Sequence, residues 1–471
     1  MTEPARKLSL ASASTEVETA LYEVRKKIYP RAVSGWFANW RIMLVLATQL
    51  AFYGTPWLTW NDRQAVLFDL VSRKFYIFGL VFWPQDFVFL TGLLIISAYS
   101  LFLFTAIAGR LFCGYACPQT VYTEIFMWIE RWVEGDRVKR MKLDKSAFSA
   151  TKLGRKLVKH GLWIALALWT GFTFVGFFTP IRTLVGEVLT QTTGPWETFW
   201  ILFYGFATYG NAGWMREQVC KYMCPYARFQ SVMFDMDTMV ITYDAARGEP
   251  RGSRGRSADH KAAGLGECVD CNICVQVCPT GIDIRRGLQY ECIGCAACVD
   301  GCNQVMDKMG YPRGLIRYST ENAVRGRVTN VFRRVFRPRI LIYVTLLCVI
   351  ISALLTALYL RTPLKVDVLR DRGAFSRETK DGLIENVYRL QIMNTQEGVR
   401  RYEISVSGLK GIALAGERTV EVKGASLATV PVAVRVDPAA VEKGSYQIMF
   451  HVEDMEHPEV NVHEKSKFFL K

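Results

Sequence analysis

CVDCNICVQVCP at Cys268–Pro279 and CIGCAACVDGCN at Cys292–Asn303 decide how this chain is read. Each spells Cys-x2-Cys-x2-Cys-x3-Cys, so eight cysteines stand in two copies of one spacing. Three thiolates in so tight a turn wrap three irons of a cube, and the fourth serves the neighbouring cube. The runs predict two [4Fe–4S] clusters, one on Cys268, Cys271, Cys274 and Cys302, the other on Cys278, Cys292, Cys295 and Cys298. Zinc sites keep their Cys-x2-Cys pairs well apart, and disulfides are disfavoured where the block faces a reducing compartment. Pro279 follows the first run, whereas Asn303 stands at the matching place in the second. Such clusters pass one electron at a time, so the segment reads as a wire.

A wire needs ends. Toward the N-terminus lie RLFCGYACPQT (Arg110–Thr120) and EQVCKYMCPYARF (Glu217–Phe229), which share Cys-x-Tyr-x-Cys-Pro and each follow a long apolar run. Residues four apart share a helix face, so Cys113 with Cys117 and Cys220 with Cys224 are expected as two aimed pairs. If the repeats face each other, four thiols converge. Soft thiolates select Cu(I) over harder ions, and Met223 offers a thioether or simple packing. One pair alone would read as buried structural cysteine; two identical pairs beside an electron-transfer module favour a metal or redox role. Cys348, alone in an apolar run, reads as packing.

The bulk numbers place this machinery at a membrane. Of 471 residues 51% are apolar and 13% aromatic, with net charge +15, and mean hydropathy is +0.13. Five windows hold no charged residue: Ile42–Asn61, Phe87–Gly109, Gly161–Ile181, Thr198–Met215 and Ile340–Leu360. Each is near the length that crosses a bilayer as a helix. The fourth contains Gly205, Gly210 and Gly213, which blur its limits. The patch Phe75–Trp83 is too short to span and reads as interfacial or re-entrant. No apolar signal core precedes the first window, so no cleavable signal peptide is expected.

Lys and Arg placement sets the expected orientation. Arg137–Lys159 carries nine basic residues against Asp144 alone, and Arg216–Arg339 carries nineteen. The alternate loops Asp62–Asp86 and Arg182–Glu197 carry three and one. This pattern puts the N-terminus and the cluster block inside and the C-terminus outside, so the charge is a topology signal and no nucleic-acid partner is expected.

The expected fold is a multi-domain membrane protein. An N-terminal cytoplasmic segment (1–41) leads into a four-span α-helical membrane domain (42–215). A cytoplasmic ferredoxin-like domain with its Gly/Ser/Arg-rich linker (216–339) and a fifth transmembrane helix (340–360) follow. Beyond lies a cysteine-free outer domain (361–471) with 17 basic and 16 acidic residues. It alternates apolar and polar residues in short runs such as NVYRLQIMN from Asn386 and YQIMFHVE from Tyr446. That period of two predicts an antiparallel all-β sandwich of immunoglobulin type. His451, His457 and His463 are evenly spaced there and form a weak candidate for a metal site, while His160 reads as interfacial.

Five apolar windows, two Cys-x-Tyr-x-Cys-Pro elements, two ferredoxin runs and an outer β-domain together resemble the FixG/RdxA/CcoG family, accessory proteins of bacterial cytochrome c oxidase. The likeness extends over essentially the whole chain, including DRQAVLFDL and KFYIFGLVFWPQDF after the first window. It implies a membrane-bound cupric reductase of the bacterial inner membrane that turns Cu(II) into Cu(I) for assembly of the cbb(3)-type oxidase. By that likeness Cys113, Cys117, Cys220 and Cys224 become the copper-handling residues. It also implies a cytoplasmic electron donor, a copper chaperone or copper-transporting ATPase, oxidase assembly factors and membrane lipid as partners, and it accommodates a homodimer. The competing reading is a membrane polyferredoxin that oxidises quinol and feeds another redox enzyme, with Phe75–Trp83 lining the quinone pocket. A pure scaffold would not need eight spaced ligands.

Overall fold

The computed structural model describes residues 27–259, 261–324, 326, 336–370 and 376–470. The first 26 residues of the expected N-terminal segment (1–41) lie outside these residues.

Helix α1 (Trp36–Gly54) is followed by the strands β1 (Val66–Asp69), β2 (Lys74–Ile77) and β3 (Leu80–Phe82). Then come α2 (Phe87–Ala108), the short α3 (Leu111–Tyr115), α4 (Pro118–Glu134), α5 (Arg137–Lys145), α6 (Ala150–Val175), α7 (Ile181–Thr190) and α8 (Pro195–Thr208). Two π-helical stretches, Tyr209–Met215 and Val219–Met223, lead to α9 (Pro225–Met233) and β4 (Val240–Tyr243). The cysteine block holds α10 (Ile273–Gln276) and α11 (Ala297–Met309), then β5 (Ile316–Ser319) and α12 (Pro338–Tyr359). The last segment holds β6 (Leu364–Arg370), β7 (Ile384–Asn394), β8 (Arg400–Ser407), β9 (Ala413–Ala415), β10 (Thr419–Val422), β11 (Ser426–Val436), β12 (Gly444–Asp454) and β13 (Asn461–Leu470).

Among the described residues three helices are long and apolar enough to cross a membrane: Pro84–Ala108, Ala150–Val175 and Pro338–Tyr359. They match the second, third and fifth expected windows, though α6 begins eleven residues before Gly161. The first and fourth windows are corrected. Helix α1 starts at Trp36, takes in Arg41, and stops at Gly54, where a 3-10 turn over Thr55–Trp57 holding Pro56 follows. The fourth window is α-helical only as far as Thr208 and then widens into a π-helix across Gly210 and Gly213. Phe75–Trp83, expected as an interfacial or re-entrant piece, is built of strands. Its alternating residues form a β-hairpin, Phe75 opposite Phe82 and Ile77 opposite Leu80, extended by β1 into a three-stranded sheet.

The chain forms two compact units. The first comprises the described parts of Met1–Val45, Phe104–Ala165 and Tyr209–Arg334. Its organising element is α4, which buries Val121, Phe126 and Met127 together with three carboxylates, Glu124, Glu130 and Glu134. Buried carboxylates demand partners. Glu130 pairs with Arg140 at 2.8 Å and Arg216 at 3.0 Å, and Glu134 with Lys156 at 2.8 Å and Lys159 at 2.9 Å. Burial opposes ionisation of Glu130, but Arg216, Arg140 and Lys159 outweigh it and hold the carboxyl below its ordinary value. The basic segment 137–159, expected only as a topology signal, thus also supplies counter-ions to α4.

The second unit comprises Leu46–Leu103, Leu166–Thr208 and the described part of Val335–Lys471. Within it Gln64 donates to the Gly176 carbonyl at 2.8 Å and accepts from the Ile181 amide at 2.9 Å, tying β1's approach to α7. Asp86 takes Arg361 at 2.6 Å and also Lys365. Its C-terminal part is two antiparallel sheets, one in the order β9-β11-β7-β6 and one in the order β10-β8-β12-β13. Period-two burial places Tyr388, Leu390 and Ile392 of the first sheet with Ile448, Phe450 and Val452 of the second in one apolar core.

Candidate functional site

The cysteine block lies in the first unit and repeats itself in backbone as well as in sequence. Asp270 (φ 48°) and Asn272 (φ 56°) in the first run match Gly294 (φ 69°) and Ala296 (φ 57°) in the second. Positive φ at the same two places bends each Cys-x2-Cys-x2-Cys around a common centre; a buried alanine holds such a φ only where its surroundings enforce it. After each turn a helix begins, α10 or α11, and carries the third cysteine of its run. Cys302 lies inside α11, so a proline at 303 would break that helix. Asn303 continues it and accepts from the Gly314 amide at 3.0 Å, which accounts for the departure from the first run. Strands β4 and β5 pair antiparallel and close the module, with Tyr318 donating to the Gly294 carbonyl.

Two groups of four thiols result. Cys268, Cys271, Cys274 and Cys302 line one cavity together with Arg285 and Tyr243. Burial pushes Cys274 and Cys302 up to about 12; Arg285 draws Cys274 back, while Cys274, Cys271 and Cys268 raise Cys302 further. In the second group burial carries Cys292 to about 12 and Cys298 well above its ordinary value, with Cys295, Cys292 and Cys278 adding to the rise at Cys298. Cys274 contributes there too, so the groups lie within electrostatic reach of each other. Four soft donors around a common space fit one cube per group. Arg285 binds Asp283 at 2.7 Å and Asn272 at 2.6 Å, and so fixes a cation at the edge of the first group.

The two Cys-x-Tyr-x-Cys-Pro elements share a geometry that differs from the expected one. Neither pair rides one helix face. Helix α3 ends at Tyr115, and Cys117 turns extended (φ −63°, ψ 127°) as the N-cap of α4, with Pro118 in the first turn. Cys220 sits in the second π-helical stretch, and Cys224 (φ −79°, ψ 107°) caps α9, with Pro225 in its first turn. The residue before proline is steered out of the helical region, so both pairs straddle a break. They still come together. Cys220 packs against the cluster containing Cys113, Cys295 and Ala297. Burial pushes the Cys220 thiol to about 12, and Cys117, Cys113 and Cys224 each add to that rise against the pull of Arg110. Burial likewise raises Cys113, whose thiol donates to Gln230 Oε1 at 3.2 Å. The buried Arg110 donates through Nε to the same oxygen at 3.1 Å.

This four-thiol group abuts the second ferredoxin group. A Cβ on Gly114 would stand 2.9 Å from the backbone N and Cα of Cys295. Cys220 and Cys295 line one cavity with Arg41, Glu124, Arg216 and Glu217. All thirteen cysteines are free thiols. Met223 and Cys348 are exposed.

One connection had no sequence signal. Asp300, in the second run, accepts from the Ala38 amide at 2.8 Å and so caps α1 from the cysteine block. A cavity of about 380 Å3, lined by His160, Trp163, Trp214, Glu130, Arg216 and Glu217 among others, was equally invisible. His160 stacks on Trp214 there and its Nδ1 lies 2.9 Å from the Tyr209 hydroxyl. Of the three outer histidines, His451 and His463 stand opposite each other on β12 and β13, Nδ1 to Nδ1 2.5 Å, while His457 sits 3.3 Å from Glu459.

The comparisons agree with this layout. Residues 215–321 match a family model described as a 4Fe-4S dicluster domain, 89–136 a 4Fe-4S binding domain, and 354–471 an IG-like fold at the C-terminal of FixG, putative oxidoreductase. The nitrogen fixation protein FixG of Rhizobium meliloti is 37% identical over 89% of this chain and 86% of its own length. Protein RdxA of Cereibacter sphaeroides is 41% identical over 87% and 88%. A crystal structure of a FixG-related protein from Vibrio parahaemolyticus is 27% identical, covering 23% of this chain and 97% of that one, with a TM-score of 0.22. With relatives this similar over most of its length, the chain belongs to the FixG/RdxA family of membrane iron–sulfur electron-transfer proteins.

Proposed function

We propose that the protein is a cupric reductase working at the inner face of a bacterial inner membrane. Cys268, Cys271, Cys274 and Cys302, and Cys278, Cys292, Cys295 and Cys298, would hold two [4Fe–4S] clusters, which would supply one-electron transfer from a cytoplasmic donor. The electrons pass to the station formed by Cys113, Cys117, Cys220 and Cys224, where Cu(II), the substrate, is reduced to Cu(I). A copper chaperone or copper-transporting ATPase then takes the product toward cbb(3)-type oxidase assembly. Five membrane crossings, with the N-terminus and clusters inside and the β-domain in the periplasm, complete the reading.

The observation that supports it is the contact of the Gly114 turn with the Cys295 backbone, which brings the membrane thiols against a ferredoxin-type group. Low-potential cubes can drive a one-electron reduction, and sulfur stabilises Cu(I). The test is stopped-flow mixing of the cluster-loaded, pre-reduced protein with Cu(II), with a Cu(I)-specific chelator as reporter. Cluster bleaching matched one-for-one by Cu(I) is expected; clusters that stay reduced in the presence of Cu(II) would sink the reading.

The cavity at His160 favours a second reading, in which quinol supplies the electrons. It combines an aromatic slot, a hydrogen-bonding histidine and a carboxylate, and it shares Arg216 and Glu217 with the cavity that reaches Cys220. Cluster reduction by a quinol analogue, lost in the W214A variant, distinguishes this entry route from a soluble donor.

A further inference from the structure

We propose that Cys113, Cys117, Cys220 and Cys224 hold a third [4Fe–4S] cluster. This rests on the reading of these thiols as the last station of the relay and names what they carry there: copper meets the station as an electron acceptor and is not its resident.

Ligand arithmetic comes first. The segment 89–136 matches a 4Fe-4S binding domain yet contains only Cys113 and Cys117, two of the four thiolates a cube takes. The segment 215–321 contains ten cysteines, and the two ferredoxin-type groups use eight. Of the remaining pair, Cys220 packs beside Cys113, and Cys224 lies within electrostatic reach of it. Each half-site supplies what the other lacks.

Spacing points the same way. A single tetrahedral ion holds its sulfurs about 3.8 Å apart, given metal–sulfur bonds of about 2.3 Å. Among the described residues no three His, Cys, Asp or Glu side chains converge tightly enough for one ion. That holds equally for the two ferredoxin-type groups, whose thiols belong around cubes. The four membrane-edge thiols are free, with Cys113 buried and Cys117, Cys220 and Cys224 half-buried, and the ferredoxin-type groups likewise mix buried with more exposed thiols.

The surroundings suit a charged cube. Four thiolates leave it negative in both oxidation states. Arg110, 5% exposed, provides a fixed cation within reach of Cys113 and Cys220. Cys117 and Cys224 each cap the positive end of a helix, seventeen residues long in α4 and nine in α9. The Cys295 turn lies against the Gly114 turn, so the third cube would adjoin the second. One electron moves from the second cube to the third and from the third to Cu(II), giving Cu(I); no proton is transferred and no covalent bond changes.

The experiment is an iron and acid-labile sulfide count on full-length protein, reconstituted anaerobically with ferrous iron and sulfide. About twelve irons and twelve sulfides per chain are expected. The C113S/C117S/C220S/C224S variant should fall to about eight of each and keep the electron paramagnetic resonance signals of the two ferredoxin-type clusters. The single C224S variant, altered at a partly buried helix cap, should lose the same third signal without requiring the whole site to be rebuilt. About eight irons in the unaltered protein, or equal counts in the unaltered protein and C224S, overturn the proposal. Twelve irons without Cu(II) reduction sink the copper reading alone; eight irons with full Cu(II) reduction sink only the third cluster.

Discussion

The β-domain from Leu364 to Leu470 and the cysteine block from Cys268 to Met309 solve the same problem by opposite means. The β-domain has no cysteine, and its two sheets close on one apolar core in which Tyr388, Leu390, Val434, Phe450 and Phe468 are fully buried. The cysteine block offers α11, the four-residue α10 and one 3-10 turn as its regular structure, with cysteines at many of the inward positions. Hydrophobic burial holds the first together. In the second, turns with positive φ and thiols crowded together are costly until a metal draws the sulfurs into one bonded unit. One region therefore carries its stability in its sequence, and the other carries it in its cofactors.

The sharpest way to break this comparison is to remove a ligand from each kind of glue. C298S withdraws a half-buried thiol from the second group. Loss of that cluster's visible absorbance and protease sensitivity across 268–309 are expected, with the thermal transition of the β-domain unmoved. If the block stays protected without its cluster, ligation is not what holds it. The mirror experiment is F450A. Removing a fully buried aromatic ring costs about 3–5 kcal/mol, read as a lowered unfolding midpoint of the β-domain, while cluster absorbance remains. Loss of the clusters in F450A would show that the two regions are not separately held.

The same contrast explains what could be read in advance. Period-two alternation gave away the strands around Tyr388 and Phe450, because a half-buried strand must alternate. The eight cysteines announced a dicluster module by their spacing, since iron geometry leaves few alternatives. The error over Cys113/Cys117 and Cys220/Cys224 was avoidable: the proline inside each quoted motif already forbade one continuous helix. The hairpin at Phe75–Trp83 was hidden because its pairing partners, not its hydrophobicity, make it a sheet. Asp300 capping α1, and Glu130 held by Arg140 and Arg216, depend on contacts between residues up to 262 positions apart, which no local pattern records.

A smaller perturbation tests whether the two cysteine systems meet where the Gly114 turn suggests. In G114A the new methyl group would stand 2.9 Å from Cys295 backbone atoms, which cannot swing aside as a side chain can. Overpacking of this kind costs roughly 1–3 kcal/mol. Unchanged cluster content with slower oxidation of the pre-reduced clusters by Cu(II) is expected. An unchanged rate would mean that electrons leave by another path.

The smallest expected effect concerns the tuning of one cluster and leaves its presence alone. Arg285 is fixed beside the first group by Asp283 and Asn272. A cation near a cube favours the reduced, more negative state, so R285Q should lower that cluster's reduction potential by on the order of 50–100 mV. The hydrogen bond from Arg285 holds the Asp283 carboxyl below its ordinary value, and so it remains ionised down to and below the usual carboxylate range. The shift should therefore be constant across neutral pH and shrink only where acid begins to protonate Asp283. A potentiometric titration at pH 6 and pH 8, continued down through the carboxylate range, checks both points. Equal potentials in R285Q and the unaltered protein would place Arg285 outside the electrostatic reach of the cluster and leave it a purely structural clasp.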